Sequence, residues 1–137
     1  MDFFEIYIPI VEKFINRDIE PSDGIDPAKV KEVELNLKIT FPLAIKQYYQ
    51  LAGDIELINC FHNQIYKADE IKIIDDKLIF MEENQSICYW GIDLVANSDN
   101  PEVYQGRLDE GKEIKWYSEE MSFSEFIVKM LEWEFKL

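Results

Sequence analysis

Histidine, cysteine and glycine are scarce in this sequence, and the few copies present form no familiar catalytic or metal-binding pattern. His62 is the only histidine, so any Ser/His or Cys/His dyad would have to use it. The two cysteines, Cys60 and Cys88, are far apart and lack the C-x₂-C spacing of a zinc site. The five glycines are scattered and form no phosphate-binding or dinucleotide-binding motif. We therefore expect neither a metal nor a cofactor.

Basic side chains are also few relative to acidic ones. The chain has 14 lysines and arginines against 28 aspartates and glutamates, which gives a formal net charge of −14. This balance argues against nucleic acids and anionic membranes as partners, because both are bound through basic patches. It is compatible with a basic protein partner, and equally with simple solubility.

Long apolar runs are absent as well. No uncharged stretch approaches the roughly 18 residues that a membrane span requires. The first residues include Asp2 and Glu5 instead of the basic residues of a signal peptide. We expect a cytoplasmic protein whose cysteines are reduced, buried thiols, although the sequence alone leaves a disulfide between them open.

An enzymatic function would have to use the neighbouring Cys60 and His62. Their side chains would share one face of a strand, because they are two residues apart. Cys60 lies in an apolar run, however, which raises the pKa of a thiol and disfavours the reactive thiolate. A hydrolase built on these two residues is the weakest of the three functional hypotheses, the other two of which are binding functions described below. We expect His62 to be structural or on the surface.

The order of predicted elements indicates one α+β domain covering residues 1–137. At 47% hydrophobic residues, the chain can bury a substantial core. Its centre is predicted at residues 77–93, where two apolar arms flank a polar break and favour a β-hairpin inside an antiparallel sheet. A second hairpin is predicted from residues 103–107 and 113–117, with Gly111 in its turn.

Helices are predicted before and after these strands. Residues 2–16 have helical periodicity, although Pro9 should either kink the helix or make it start late. Asp26 is expected to cap a second helix, Pro42 to occupy the first position of a third, and Gly53 to end it in a left-handed conformation. Ser122 and Glu125 form a capping box for the last helix. Residues 56–61 are predicted as a strand, 96–101 as a loop, and 68–73 as either a helical turn or a strand.

Acidic residues with interspersed aromatic residues occupy the stretch between residues 82 and 102. This stretch has five carboxylates and no lysine or arginine, and it contains Tyr89 and Trp90, with Tyr104 just beyond. Exposed aromatics contribute most to many protein interfaces, and charges accelerate association. Solvated loop carboxylates are the alternative interpretation, and we favour a core position for Trp90.

Several segments, in the right order, resemble the SUKH superfamily of Smi/Knr-like proteins. The superfamily's N-terminal motif is matched by Ile25-Asp26-Pro27 with Glu34 and Leu37, followed by Phe41-Pro42, Tyr48, Tyr49 and Gly53. Its central hairpin and closing helix resemble Met81-Glu82-Glu83-Asn84-Gln85, Cys88-Tyr89-Trp90-Gly91 and Ser122-Phe123-Ser124-Glu125-Phe126. Phe41 stands where leucine is usual, and Ala52 where asparagine is common.

This resemblance implies a central antiparallel sheet with helices packed against it, and a non-enzymatic function. Most bacterial members of the superfamily are immunity proteins that bind and neutralise a toxin domain, often a nuclease, whereas fungal members are regulatory interaction modules. We therefore expect an immunity protein that binds a basic toxin domain one-to-one, with Glu82, Glu83, Tyr89 and Asp93 as the partner-binding residues. A regulatory or scaffold module without a toxin partner is the alternative.

Overall fold

The α+β fold is confirmed in a computed structural model that describes residues 2–59, 63–83, 87–95, 97–108 and 113–135. The helices are α1 (Phe4–Ile15), α2 (Pro27–Leu37), α3 (Leu43–Ala52), α4 (Glu56–Asn59) and α5 (Phe123–Phe135). The strands are β1 (Asn63–Ile65), β2 (Lys72–Ile74), β3 (Lys77–Glu83), β4 (Cys88–Asp93), β5 (Glu102–Leu108) and β6 (Ile114–Ser122). Two 3₁₀ turns cover Pro21–Asp23 and Ala68–Glu70.

The strands form one antiparallel sheet in the order β1-β3-β4-β5-β6, and β2 also pairs with β3. The predicted central hairpin is confirmed, since β3 and β4 pair with each other and lie inside the sheet. Their register sets Leu78 opposite Ile92, and Glu82 opposite Tyr89. An extra residue in β3, Phe80, forms a bulge between these pairs. The second predicted hairpin is also confirmed by the pairing of β5 with β6, but its Gly111 lies outside the described residues.

The helix start predicted at Asp26 is confirmed. The Asp26 carboxylate accepts a hydrogen bond of 2.9 Å from the Ala28 amide, and Pro27 follows at the first helical position. In α1 the chain continues as helix through Pro9 instead of starting after it. The proline has no amide hydrogen, so the carbonyl of Glu5 lacks its usual helical donor. The amphipathic pattern around the proline therefore outweighed its local cost.

Two predictions about α3 are wrong in detail. Pro42 is the residue before the helix, which begins at Leu43. Gly53 has φ −63° and ψ −17°, a right-handed conformation, because the chain continues in a right-handed turn towards α4. Glycine is required there by space: a Cβ at this position would lie 2.6 Å from the carbonyl oxygen of Tyr49.

The strand predicted over residues 56–61 is also wrong where the structure describes it, because residues 56–59 form α4. The buried Ile55 and Ile58 are three residues apart, a helical spacing. The Asn59 side chain then donates 3.1 Å to the Gly53 carbonyl and accepts 2.8 Å from the Tyr48 hydroxyl. These bonds attach α4 to the end of α3. The ambiguous residues 68–73 contain both alternatives, a 3₁₀ turn followed by the start of β2.

The main core lies between the helices and one face of the sheet, which we call the covered face. Phe80 is fully buried there, and its ring centroid lies 4.9 Å from that of Phe123 and 5.8 Å from that of Phe126. The buried Tyr7 donates a 2.7 Å hydrogen bond from its hydroxyl to the Ala44 carbonyl. Aromatic packing thus fills this core, and its buried hydroxyl groups are paired.

Candidate functional site: the open face of the sheet

The side chains on the other face of the sheet form the candidate site. Leu78, Ile92 and Val103 are paired across three strands and are fully buried on the covered face. Because side chains alternate along a strand, their neighbours lie on the opposite face, which we call the open face. Its members include Lys72, Lys77, Ile79, Glu82, Tyr89, Gly91, Asp93, Tyr104, Gly106 and Trp116, with Tyr66 at its margin.

Two glycines give the open face a floor on which larger side chains lie. A Cβ on Gly106 would come within 2.5 Å of the Trp116 ring, so the indole lies directly across this glycine. A Cβ on Gly91 would come within 2.8 Å of Ile79. Ile79 is fully buried although it is on the face away from Phe80 and the helices. The surrounding aromatic and lysine side chains therefore form a thin second apolar layer.

Each of two lysines in this layer lies against two aromatic rings. The Lys72 ammonium is 5.0 Å from the centroid of Tyr89 and 5.6 Å from that of Tyr66. The Lys77 ammonium is 5.0 Å from the centroid of Trp116 and 5.1 Å from that of Tyr104. Such cation–π contacts hold the rings in place while leaving Tyr89, Tyr104 and Trp116 half-exposed.

Carboxylates bind the polar atoms of the same aromatic residues. The Tyr66 hydroxyl donates to Glu82 at 3.1 Å, and the pKa of Tyr66 is raised by burial first and by this carboxylate second. The Trp116 indole donates to Asp75 at 3.0 Å. A hydrogen bond to Glu102, followed by burial and nearby negative charge, raises the pKa of Tyr104. The open face therefore combines phenol and indole groups with the carboxylates of Glu82, Asp75 and Glu102, which outnumber its two lysines.

Three of the four predicted partner-binding residues lie on this face. Glu82 and Tyr89 are directly opposite each other near one end of the β3–β4 ladder, and Asp93 is opposite Lys77 at its other end. Glu83 follows Glu82 and lies on the covered side, where burial and a hydrogen bond to Glu83 raise the pKa of the Cys88 thiol. The structure thus separates Glu83 from the other three, whose role in binding stays a prediction.

Trp90 is a core residue, as expected. It is only 7% exposed, its ring packs against Phe126 on the covered face, and its indole donates 3.0 Å to Glu119. The contributions of Lys72, Lys77 and Trp116 to the open face were missed. Strict alternation of side chains through residues 114–118 could have predicted that Trp116 and Tyr117 lie on different faces of the sheet. No sequence pattern, however, indicates which ring a lysine will contact.

Other potential sites are less informative. Cys60 and His62 lie outside the described residues, so the structure does not test their proposed pairing. Within the described ranges, no three histidine, cysteine, aspartate or glutamate side chains are grouped closely enough to hold a metal ion. None of the helices described is both long and apolar enough to cross a membrane.

No family model, curated protein or solved structure matches this chain. The SUKH resemblance therefore depends on the sequence motifs alone.

Proposed function

We propose that this chain is a cytoplasmic immunity protein that binds a basic toxin domain through the open face and blocks its active site. The observation that carries the proposal is the combination, on one sheet face, of half-exposed aromatic rings with an acidic rim. Tyr89, Tyr104 and Trp116 supply the rings, and Glu82 and Asp93 supply charge beside them. The resemblance to SUKH proteins supports the biological role, and the face supports the mode of binding.

The chemistry of the face suits a nuclease-like partner in particular. A nuclease attracts phosphates with basic residues, so an acidic surface is complementary to its active site. Rigid aromatic rings then provide area that can be buried at low entropic cost, as in the centre of many tight interfaces. The contacts with Lys72 and Lys77 hold these rings in position before the partner arrives, which reduces the cost of ordering on binding.

The first experiment is co-expression with any toxin-like domain that is encoded beside the gene. We expect host survival together with a stable one-to-one complex, measured by light scattering after size-exclusion chromatography. Continued killing without a complex would reject the immunity proposal and favour the regulatory module. Survival without a complex would reject blocking by binding as the mechanism.

The location of the interface is tested by a matched pair of charge variants. We expect Glu82→Gln/Asp93→Asn to reduce the association rate with the toxin several-fold and to weaken its salt dependence. The control, Glu83→Gln/Glu113→Gln, removes the same charge from outside the open face and should change the rate much less. Equal effects of the two variants, measured by stopped-flow or surface plasmon resonance, would show that only net charge matters and would place the interface elsewhere.

The aromatic contribution is tested separately through the dissociation rate. Tyr89→Ala should accelerate dissociation about tenfold or more if this ring is central to the interface. The fold of the variant can be checked by circular dichroism, because Tyr89 is only half-buried and its loss should leave the main core intact.

A further inference from the structure

A depression between α2, from its middle to its C-terminus, and the start of α3 differs in charge from the rest of this acidic protein. It has a volume of about 540 Å³, and its lining includes Lys31, Glu34, Leu35, Lys38, Ile39 and Lys46. Three of the 14 basic residues of the chain therefore converge on one small region. None of these residues belongs to the open face.

The positive charge of the depression is largely uncompensated. Its carboxylate, Glu34, accepts a 2.6 Å hydrogen bond from the Phe41 amide and lies 3.5 Å from the Lys46 ammonium. Within the part of the chain that the structure describes, no ion pair involves Lys31 or Lys38. The depression thus attracts negative charge in a molecule whose net charge is −14.

An exposed leucine lies between the two unpaired lysines. Leu35 is 70% exposed, and it follows Lys31 by four residues and precedes Lys38 by three, so the three side chains share one side of α2. Ile39 is half-buried beside it. A large apolar side chain that is flanked by cations is suited to a ligand that combines an apolar group with acidic ones.

Lys38 also occupies an unusual backbone position. It has φ 59° at the end of α2, where glycine or asparagine is the usual residue. A cation near a helix C-terminus interacts favourably with the helix dipole, which accounts for part of this choice. The dipole does not account for Lys31, which lies in the middle of the helix, or for the exposure of Leu35.

We infer that this depression is a second binding surface, which takes an acidic protein segment carrying a large apolar side chain. The apolar side chain covers Leu35 and Ile39, while the acidic residues on either side pair with Lys31, Lys38 and Lys46. Protein is favoured over a phosphate-bearing surface, since Leu35 and Ile39 contribute apolar side chains to the lining and the remaining acidic surface repels anionic membranes and nucleic acids.

The test uses a fluorescein-labelled peptide in which glutamates flank two leucines, titrated with the full chain and followed by anisotropy and amide chemical shifts. We expect saturable binding with shifts confined to residues 31–46. Replacing the peptide's leucines by serine, or its glutamates by glutamine, should each weaken binding at least several-fold. Shifts centred on the open face, or binding that ignores both peptide changes, would overturn the inference.

Protein variants make the test specific to the depression. Lys31→Glu/Lys38→Glu should weaken peptide binding at least tenfold, whereas Lys29→Glu/Lys129→Glu makes the same change of charge elsewhere and should have a much smaller effect. Leu35→Ser removes only an exposed side chain, so it should keep the fold and still weaken binding several-fold. Equal loss in both charge variants would reduce the effect to net charge. Stronger binding of anionic vesicles or an oligonucleotide than of the peptide would assign the surface to another class of partner.

Discussion

The two faces of the sheet use the same kinds of residue in different ways. On the covered face, Phe80 packs edge-on against Phe123 and Phe126, and all three rings are buried. On the open face, Tyr89 and Trp116 contact lysine ammonium groups and stay half-exposed. Aromatic residues alone therefore do not identify a core. Their neighbours do, since ring-to-ring contacts exclude water and ring-to-cation contacts tolerate it.

This difference assigns stability and binding to different faces. Free energy of unfolding scales with the apolar area removed from water, and the covered face removes far more of it. The open face keeps its rings ordered through polar contacts, such as those of Glu82 with Tyr66 and Asp75 with Trp116. A surface that is ordered but contributes little to folding is free to be used for a partner.

The largest expected effect comes from the centre of the covered face. Phe80→Ala should lower the free energy of unfolding by about 3–5 kcal/mol, because it leaves a cavity between Phe123 and Phe126. The matched substitution on the open face, Tyr104→Ala, should cost only about 1 kcal/mol because that ring is already half-exposed. Urea unfolding measures both. Similar costs would mean that the two faces contribute equally to folding.

Two glycines compare the helical layer with the open face of the sheet through steric space alone. A Cβ on Gly24 would lie 1.7 Å from the Gln50 carbonyl oxygen, a backbone atom of α3 that has little freedom to move. Gly24→Ala should therefore cost about 3 kcal/mol or more. In Gly106→Ala the new methyl group meets the Trp116 ring, which can shift towards solvent, so the cost should be nearer 1 kcal/mol. Thermal unfolding compares the two, and a reversed order would show that the open-face layer is the more rigid one.

How far the sequence predicted this fold depends on whether the signal was local. The Asp26 cap and the two hairpins were predicted correctly because the residues that specify them lie within a few positions of the elements they start or join. Helix α4 was missed because the helical spacing of Ile55 and Ile58 covers only a single turn. The bonds of Asn59 to Tyr48 and Gly53, which attach this helix, are not contained in short-range periodicity.

The candidate site shows the same limit. Glu82, Tyr89 and Asp93 were selected as an acidic and aromatic stretch, and strand alternation sets them on one face. Alternation also sets Glu83 on the other face, a consequence of the register that was not used in the prediction. Lys72 comes from a strand that joins the site only through pairing with β3, so its contact with Tyr89 follows from topology.

The ion pair between Arg17 and Asp23 makes the free energy of unfolding depend on pH. Arg17 donates hydrogen bonds of 2.7 and 2.8 Å to the buried carboxylate of Asp23 and lowers the pKa of Asp23 from 3.8 to about 2. A lowered pKa contributes stability that is present above pH 3.8 and is lost as the pH falls through about 2. Arg17→Met should therefore destabilise the chain at pH 7, by an amount that solvent screening limits because the Arg17 side chain is itself half-exposed.

The pH dependence separates this pair from a mere packing contact. The difference in unfolding free energy between the wild-type chain and Arg17→Met should shrink between about pH 4 and pH 2. A difference that stays constant down to pH 2 would assign the cost to the arginine stem and not to its charge.

The smallest expected effect comes from the two lysines of the open face. Lys72→Met and Lys77→Met keep the apolar stem but remove the ammonium groups from Tyr89 and Trp116, so each should cost only about 0.5–1 kcal/mol. Lys67→Met removes a charge from another exposed lysine and controls for the change in net charge. If the cation–π contacts order the face for binding, the Trp116 side chain should become more mobile in Lys77→Met and its fluorescence anisotropy should fall. The affinity of the toxin complex should also fall by more than the loss of folding stability explains. Unchanged fluorescence and affinity would mean that the rings are held by their carboxylate partners and by the glycine floor, and that the lysines are incidental to the surface.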